Sequence, residues 1–231
     1  MATSNTYAYN PSLGELTLQA FSLCGVRPTA LTQDHLSSAH TAVNLMLADW
    51  ANKGVNLWKV DLVTTTLVNG QTTYPVDPNV VMVLDAYITS PNSGQNVDRI
   101  ILPISRTEYA SYPNKQQTGV TTVYWFDRLI NPTITLWPVP SDTTGYTTIS
   151  YYVVRQVQDS NYTNGQTVDI PYRWLNAFAD GLAYHLSRIW SPQMVQILKP
   201  QADESYATAA QQDTEYVQMY ISPMVNGYWR P

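Results

Sequence analysis

Charge is what this sequence has least of. Of its 231 residues only 13 % are Asp, Glu, Lys or Arg, and the net charge is −5; that is about half the charged share of an ordinary globular protein. The twelve basic residues are scattered, with no run of three. The clustered cations that displace counterions from a phosphate backbone are missing, which argues against tight nucleic-acid binding. Cysteine occurs once, at Cys24, so an intrachain disulfide and a cysteine-based metal cluster are both excluded. No apolar run approaches the roughly 20 residues of a membrane helix. Met1-Ala2-Thr3-Ser4 lacks the basic start and apolar stretch of a secretory signal, so the chain is expected to be made and used without crossing a membrane by that route. Phenylalanine is also scarce, with three residues.

What replaces these is Thr, Ser, Asn and Gln, together with 17 Tyr and 7 Trp. Amphipathic aromatics suit a surface that is wet in one context and dry in another, as a subunit interface is. A strand-rich fold would account for part of the Tyr and Thr. The chain is 44 % apolar, and a chain of this size buries roughly 70–75 % of its unfolded surface, enough for a real core.

The pattern of apolar residues divides the chain. Ser12-Leu13-Gly14-Glu15 reads as a capping box. Leu13, Leu16, Ala20, Phe21 and Cys24 follow at helical spacing, and Gly25 suits the left-handed residue past the helix end. A second helix starts at Thr32, with Asp34 in its first turn and an apolar stripe of Leu36, Ala39, Val43, Met46, Leu47 and Trp50, and stops at Gly54. A short link predicts an antiparallel pair. From Val60 to Arg155 the period changes to that of strands, expected near Leu62–Val68, Val80–Ile88, Arg99–Ile104, Val120–Phe126, Thr133–Trp137 and Thr147–Val154. Ser105 to Glu108 repeats the capping pattern and predicts one helical turn before Tyr109 and Tyr112. Helical spacing returns after Asp169-Ile170-Pro171, read as a cap, through Trp174, Leu175, Phe178, Leu182, Leu186 and Ile189. Ser191-Pro192 opens a further helix that Pro200 should kink or restart and Pro223 should end; Ala202, Tyr206, Ala209, Tyr216 and Tyr220 lie along it. Helices at both ends of a chain most simply pack together.

The expected fold is therefore α+β: a four-helix core, two helices from each end, carrying an inserted antiparallel β-sandwich or barrel. The boundaries are 1–59 for the N-terminal helical pair, 60–168 for the β-domain, 169–222 for the C-terminal helices and 223–231 for an extended arm. No internal repeat or low-complexity segment interrupts it.

Reactive residues form no constellation. His35 and His40, five apart, stand about 140° apart on a helix and cannot share a metal. His185 lies beside an apolar face as a packed or capping histidine, and Cys24 falls in an apolar pattern as a structural thiol. No nucleophile elbow or phosphate-binding loop is present. Glu15 and Asp34 belong to helix starts, Asp77, Asp142 and Asp159 to turns, and Asp169 to a cap. Asp203-Glu204 and Asp213-x-Glu215 read as a solvated face, leaving Asp85, Asp98 and Asp127 without a local task. Arg99, Arg106, Lys115 and Arg128 give the strand block a mild cationic bias suited to solubility or to a partner's acidic surface. No catalytic residue, cofactor or metal is expected.

Three stretches resemble one family. Leu16 to Trp58 contains LTLQAFSLCGV and, after a gap, AVNLMLADWANKGVNLW; Ser105 to Pro140 runs SRTEYASYPNK through VYWFDR to LWPVP; Ile170-Pro171-x-x-Trp174 leads into LAYHL. Together they resemble the head-to-tail adaptors of short-tailed phages, also called tail accessory factors or tail tubular protein A; Val120 stands where the family pattern has a nearby proline. The resemblance implies a virion protein assembled in the host cytoplasm and not an enzyme. It implies a dodecameric ring docked on the portal protein, presenting a platform to the tail nozzle, fibre or spike. DNA would meet it only in transit through the channel, and no membrane is involved. Met224, Tyr228 and Trp229 are expected anchors of an arm that inserts into a neighbour or the portal, or folds back on its own helices. Two other readings stand beside this one. The first is a carbohydrate-binding tail module stacking sugars on Tyr124, Trp125 and Trp137, although strand alternation should bury Trp125 and turn Tyr124 and Phe126 to the opposite face. The second is a cell-wall hydrolase using paired carboxylates.

Overall fold

A computed structural model describes residues 5–6, 9–54, 57–92, 95–161 and 165–213. Its α-helices are α1 (Leu13–Leu23), α2 (Gln33–Asn52), α3 (Arg106–Ser111), α4 (Leu175–Trp190) and α5 (Val195–Gln212). Its strands are β1 (Val60–Thr66), β2 (Thr73–Pro75), β3 (Val80–Asn92), β4 (Gln95–Pro103), β5 (Val123–Asp127), β6 (Thr133–Trp137) and β7 (Thr148–Arg155). The fold is α+β, with a β block between two helical segments.

The helix ends follow from local chemistry. Ser12 accepts from the Glu15 amide at 3.3 Å while Glu15 accepts from the Ser12 amide at 2.8 Å, so the two orphan donors satisfy each other. At the other end of α1, Gly25 takes φ +78°. Val26 N–H then reaches the Phe21 carbonyl and Gly25 N–H the Ser22 carbonyl, each at 3.0 Å, the double bond of a left-handed helix stop. Helix α2 is capped by Thr32, with the His35 ring accepting from the Thr32 amide at 3.3 Å.

Helix α4 is the centre of the helical core, and α1, α2 and α5 all pack on it. Helices α1 and α2 meet α4 more closely than they meet each other, in place of the expected antiparallel pair. The reason is the small-residue surface of α4: Ala177, Ala179, Gly181 and Ala183 are buried. A Cβ at Gly181 would lie 2.8 Å from Met46 Sδ and 3.5 Å from the Trp50 ring, so a larger residue there would have to push the Met46 side chain of α2 aside. Trp174, Phe178, Leu182 and Leu186 complete the face as expected, but Ile189 is 56 % exposed, and so is Leu36 on α2 at 47 %. Asp169 does not cap α4; a 3₁₀ turn at Tyr172–Trp174 leads into that helix. Helix α5 runs unbroken through Pro200, which neither ends nor restarts it. Pro223, with Tyr216 and Tyr220, lies outside the described residues.

The strands form one curled mixed sheet, a half-barrel, in the order β1-β7-β3-β4-β5-β6-β2. All neighbours are antiparallel except β4 and β5. That single parallel contact arises because α3 and its loop carry the chain across between them. Its hollow holds a second apolar cluster, including Tyr74, Ile88, Ile101, Tyr124, Leu136 and Tyr151. Strand β2 was not expected; its three residues are too few for a periodic signal. The Tyr74 hydroxyl accepts from Val68 N–H at 2.9 Å and donates to its carbonyl, closing the corner of the sheet.

Candidate assembly surfaces

Part of the aromatic excess is spent inside the chain. Trp50 and Trp174 are buried in the helical core, and Tyr74, Tyr124 and Tyr151 in the sheet. Among the described tyrosines only Tyr9, Tyr152 and Tyr172 are exposed. Tyr124 Oη donates to the Leu84 carbonyl at 3.2 Å, whereas the buried Trp174 Nε1 has no hydrogen-bond partner among the described residues. A half-buried group lies on the outer face of β5 and β6. There the short helix α3, capped by Ser105 as expected, stacks Tyr109 on Trp125 (centroids 5.5 Å) and Tyr112 on Trp137 (4.2 Å). Lys115 ties off this helix by donating to the Ala110 and Tyr112 carbonyls. Alternation holds along β5, but with faces opposite to expectation: Tyr124 enters the hollow and Trp125 lies outside. The three residues do not make one flat sugar platform, because one is buried and the other two already carry tyrosines.

The outward apolar surface is aliphatic. Ile130 is 91 % exposed at the β5–β6 turn beside Leu129, and Leu45 is exposed on α2. On β4, Ile100 is 73 % exposed and Leu102 62 %, with Val97 also exposed. Strand β4 pairs with β3 from Ile101 to Gln95, whereas β5 reaches only Leu102 and Pro103. The outer side of Gln95–Ile101 therefore has no strand against it among the described residues. A groove of about 830 Å³ between α4 and α5 is lined by both signs of charge, Arg173 with Asp180 and Glu204, and is open to solvent.

Charged residues gather where the chain passes between helices and sheet. Arg155, at the end of β7, holds Asp169 with two bonds (2.5 and 3.2 Å) and Asp61 of β1 through Nε (3.1 Å). Asp169 also accepts from the Gln158 amide at 3.2 Å, so its carboxylate serves the crossover instead of a helix start. Arg173 pairs with Asp213, which is buried at 4 % exposure and so not on a solvated face. Between them lies Lys59, fully buried, its Nζ without a hydrogen-bond partner among the described residues. Burial holds its pKa below the ordinary lysine value; Arg155 pushes the same way and Asp213 against. No spacing in the sequence marks this cluster, because its six members are spread over four stretches between Lys59 and Asp213.

The remaining titratable groups do local work. His35 stacks on Trp190 at 3.9 Å and meets Phe21 edge-on, joining α1, α2 and α4. His185 is half-buried, its pKa lowered by burial first and Arg188 second. Cys24 donates to the Ala183 carbonyl at 3.1 Å, and burial pushes its thiol up to about 11. Asp98 accepts from the Thr89 hydroxyl at 2.7 Å. Among the described residues no group of three or more His, Cys, Asp and Glu is placed to hold a metal ion. No described helix is long and apolar enough to cross a membrane. The expected anchors Met224, Tyr228 and Trp229 lie outside the described residues.

Comparison with known protein families finds a match over most of the chain. The model of the family described as SU10 adaptor protein covers residues 17–225, taking in the helical core and the whole sheet. No curated protein matches the chain.

Proposed function

The chain belongs to the SU10 adaptor protein family, and from that premise we propose that it forms a closed ring between the portal and the tail of a phage particle, continuing the DNA channel. A phage adaptor is a structural virion component. The observation that carries the reading is the length of the match, which spans both cores and not one motif. In this reading the sheet of residues 60–168 hangs as an inserted domain from a platform built by 1–59 and 169–222. The ring is a dodecamer of the short-tailed phage type, assembled in the host cytoplasm, with the portal on one side and the tail nozzle, fibre or spike on the other. Side-to-side contacts that close by rotation are the simplest way to make it. The net charge of −5 and the lack of basic runs suit a wall that lets DNA slide past. No enzymatic step is assigned to it.

The arm of residues 223–231 is part of the proposal, with Met224, Tyr228 and Trp229 as anchors in a neighbour or the portal. The test of the whole is to mix the purified chain with its portal and image the product. Rings on the portal, lost or weakened when 223–231 are deleted, are expected. A chain that neither binds the portal nor enters particles would overturn the proposal, and unchanged assembly of the deletion would remove the arm from it.

A further inference from the structure

We propose that copies of this chain join by strand pairing, the open side of β4 in one copy lying antiparallel against β1 of the next. The inference rests on the adaptor reading and deepens it by naming the contact.

An unpaired strand edge is a template for another strand, and proteins normally shorten, charge or cover it. Besides residues 80–85 of β3 and 125–127 of β5, which β4 does not pair, three edges are open among the described residues, two of them of similar length. Strand β1 ends the sheet order and presents seven residues, Val60–Thr66. The Gln95–Ile101 part of β4 is open because β5 touches only the next two residues. The third edge, β2, has three residues and includes Pro75, which has no amide to donate. The β4 edge also carries apolar side chains that nothing among the described residues covers, Ile100 at 73 % being the most exposed.

The two edges fit in a register set by the pleat. Arg99 of β4 stands beside Ile88 of β3 and Asp61 of β1 beside Val153 of β7, and both partners belong to the cluster in the sheet's hollow. Asp61 and Arg99 thus occupy the same face of the sheet. A continued sheet must keep that face, because a slip of one residue turns every side chain over. Setting Asp61 opposite Arg99 satisfies this and places opposite charges together. It also brings Val63 against Val97 on the same face, and Val60 against Ile100 and Thr64 against Asn96 on the other. Opposite-charge and apolar cross-strand pairs each stabilise such a contact. Because the joined edges are different, the contact is head-to-tail and can close into a ring.

The test uses particles assembled in cells where a variant replaces the natural chain. Thr64→Cys and Asn96→Cys are placed together, Cys24 being buried and left in place. After mild oxidation a non-reducing gel should show a ladder of covalent multimers with both substitutions and single chains with either alone. Incorporation into particles without the ladder would overturn the strand pairing while leaving the adaptor reading intact. Dimers from Asn96→Cys alone would overturn it in favour of a symmetric β4–β4 contact. A natural chain absent from particles would overturn the adaptor reading, and this inference with it. Independently, Arg99→Glu should lower incorporation about tenfold or more by setting like charges against each other. Its melting temperature as a free chain should not change. Unchanged incorporation would also count against the proposal.

Discussion

Lys59 shows how much one side chain can be asked to bear. Its ammonium is buried without a hydrogen bond among the described residues, beside an arginine that repels it. A lysine whose folded pKa is lowered weakens the fold most below that pKa. The penalty fades as pH rises from there toward about 10.4, where the unfolded side chain titrates. Lys59→Met should therefore stabilise the chain at pH 7 by about 1–2 kcal/mol. Its advantage over the natural chain should shrink toward pH 10, as urea unfolding at a series of pH values would show. Cys24 is the opposite case, a group made inert by its place. With the thiol pushed up to about 11 and bonded to the Ala183 carbonyl, it should resist alkylation in the native state and react at an ordinary rate in urea. Rapid native labelling, read by mass, would contradict this. Neither role was legible beforehand to the same degree. The apolar spacing around Cys24 marked it as structural, but nothing near Lys59 in sequence distinguishes it from a surface lysine.

At the scale of elements, the strongest sequence signals were those whose physics is local. The reciprocal bonds of Ser12 and Glu15 need four consecutive residues and nothing else. Ser12→Ala should cost about 1 kcal/mol, seen as a lower urea midpoint with an unchanged slope. Strand β6 was expected at Thr133–Trp137 and is found there, bounded by Asn131-Pro132 before it and proline after. Strand β2 was not legible, nor was it legible that α5 passes Pro200 without a restart. The first is held by a hydroxyl from Tyr74 and pairing with β6. In the second, tertiary packing of Leu198 and Ala202 outweighs the cost of one missing bond. Asp169 was misplaced for a similar reason: it has the sequence of a cap, but Arg155, 14 residues earlier, claims its carboxylate.

For the whole molecule, the coupling of helices to sheet rests on polar contacts more than on a shared core, since the two apolar clusters are separate. Asp169→Asn removes the charge that Arg155 grips and should cost about 2 kcal/mol. Because the lost contact lies between the two clusters, thermal unfolding should broaden or split into two steps. Calorimetry compared with circular dichroism would reveal it. A single sharp transition at the natural temperature would mean that the crossover is held by other contacts, such as the paired bonds between Asn44 and Ser160.

Sequence by itself determined most of the helices and strands, their order and the sparse charge. All of these follow from periodicity, capping and counting, which act within a few residues or over the chain as a whole. Only the tertiary structure decided that α4 is the central helix, that Trp50, Trp174, Tyr74, Tyr124 and Tyr151 face inward, and that β4 keeps an open side among the described residues. Each of these depends on which distant segments share space: where Gly181 lets α2 approach, which pleat face Tyr124 takes, and how far β5 runs along its neighbour. Such choices are made by packing between residues far apart in the chain, and no local pattern records them.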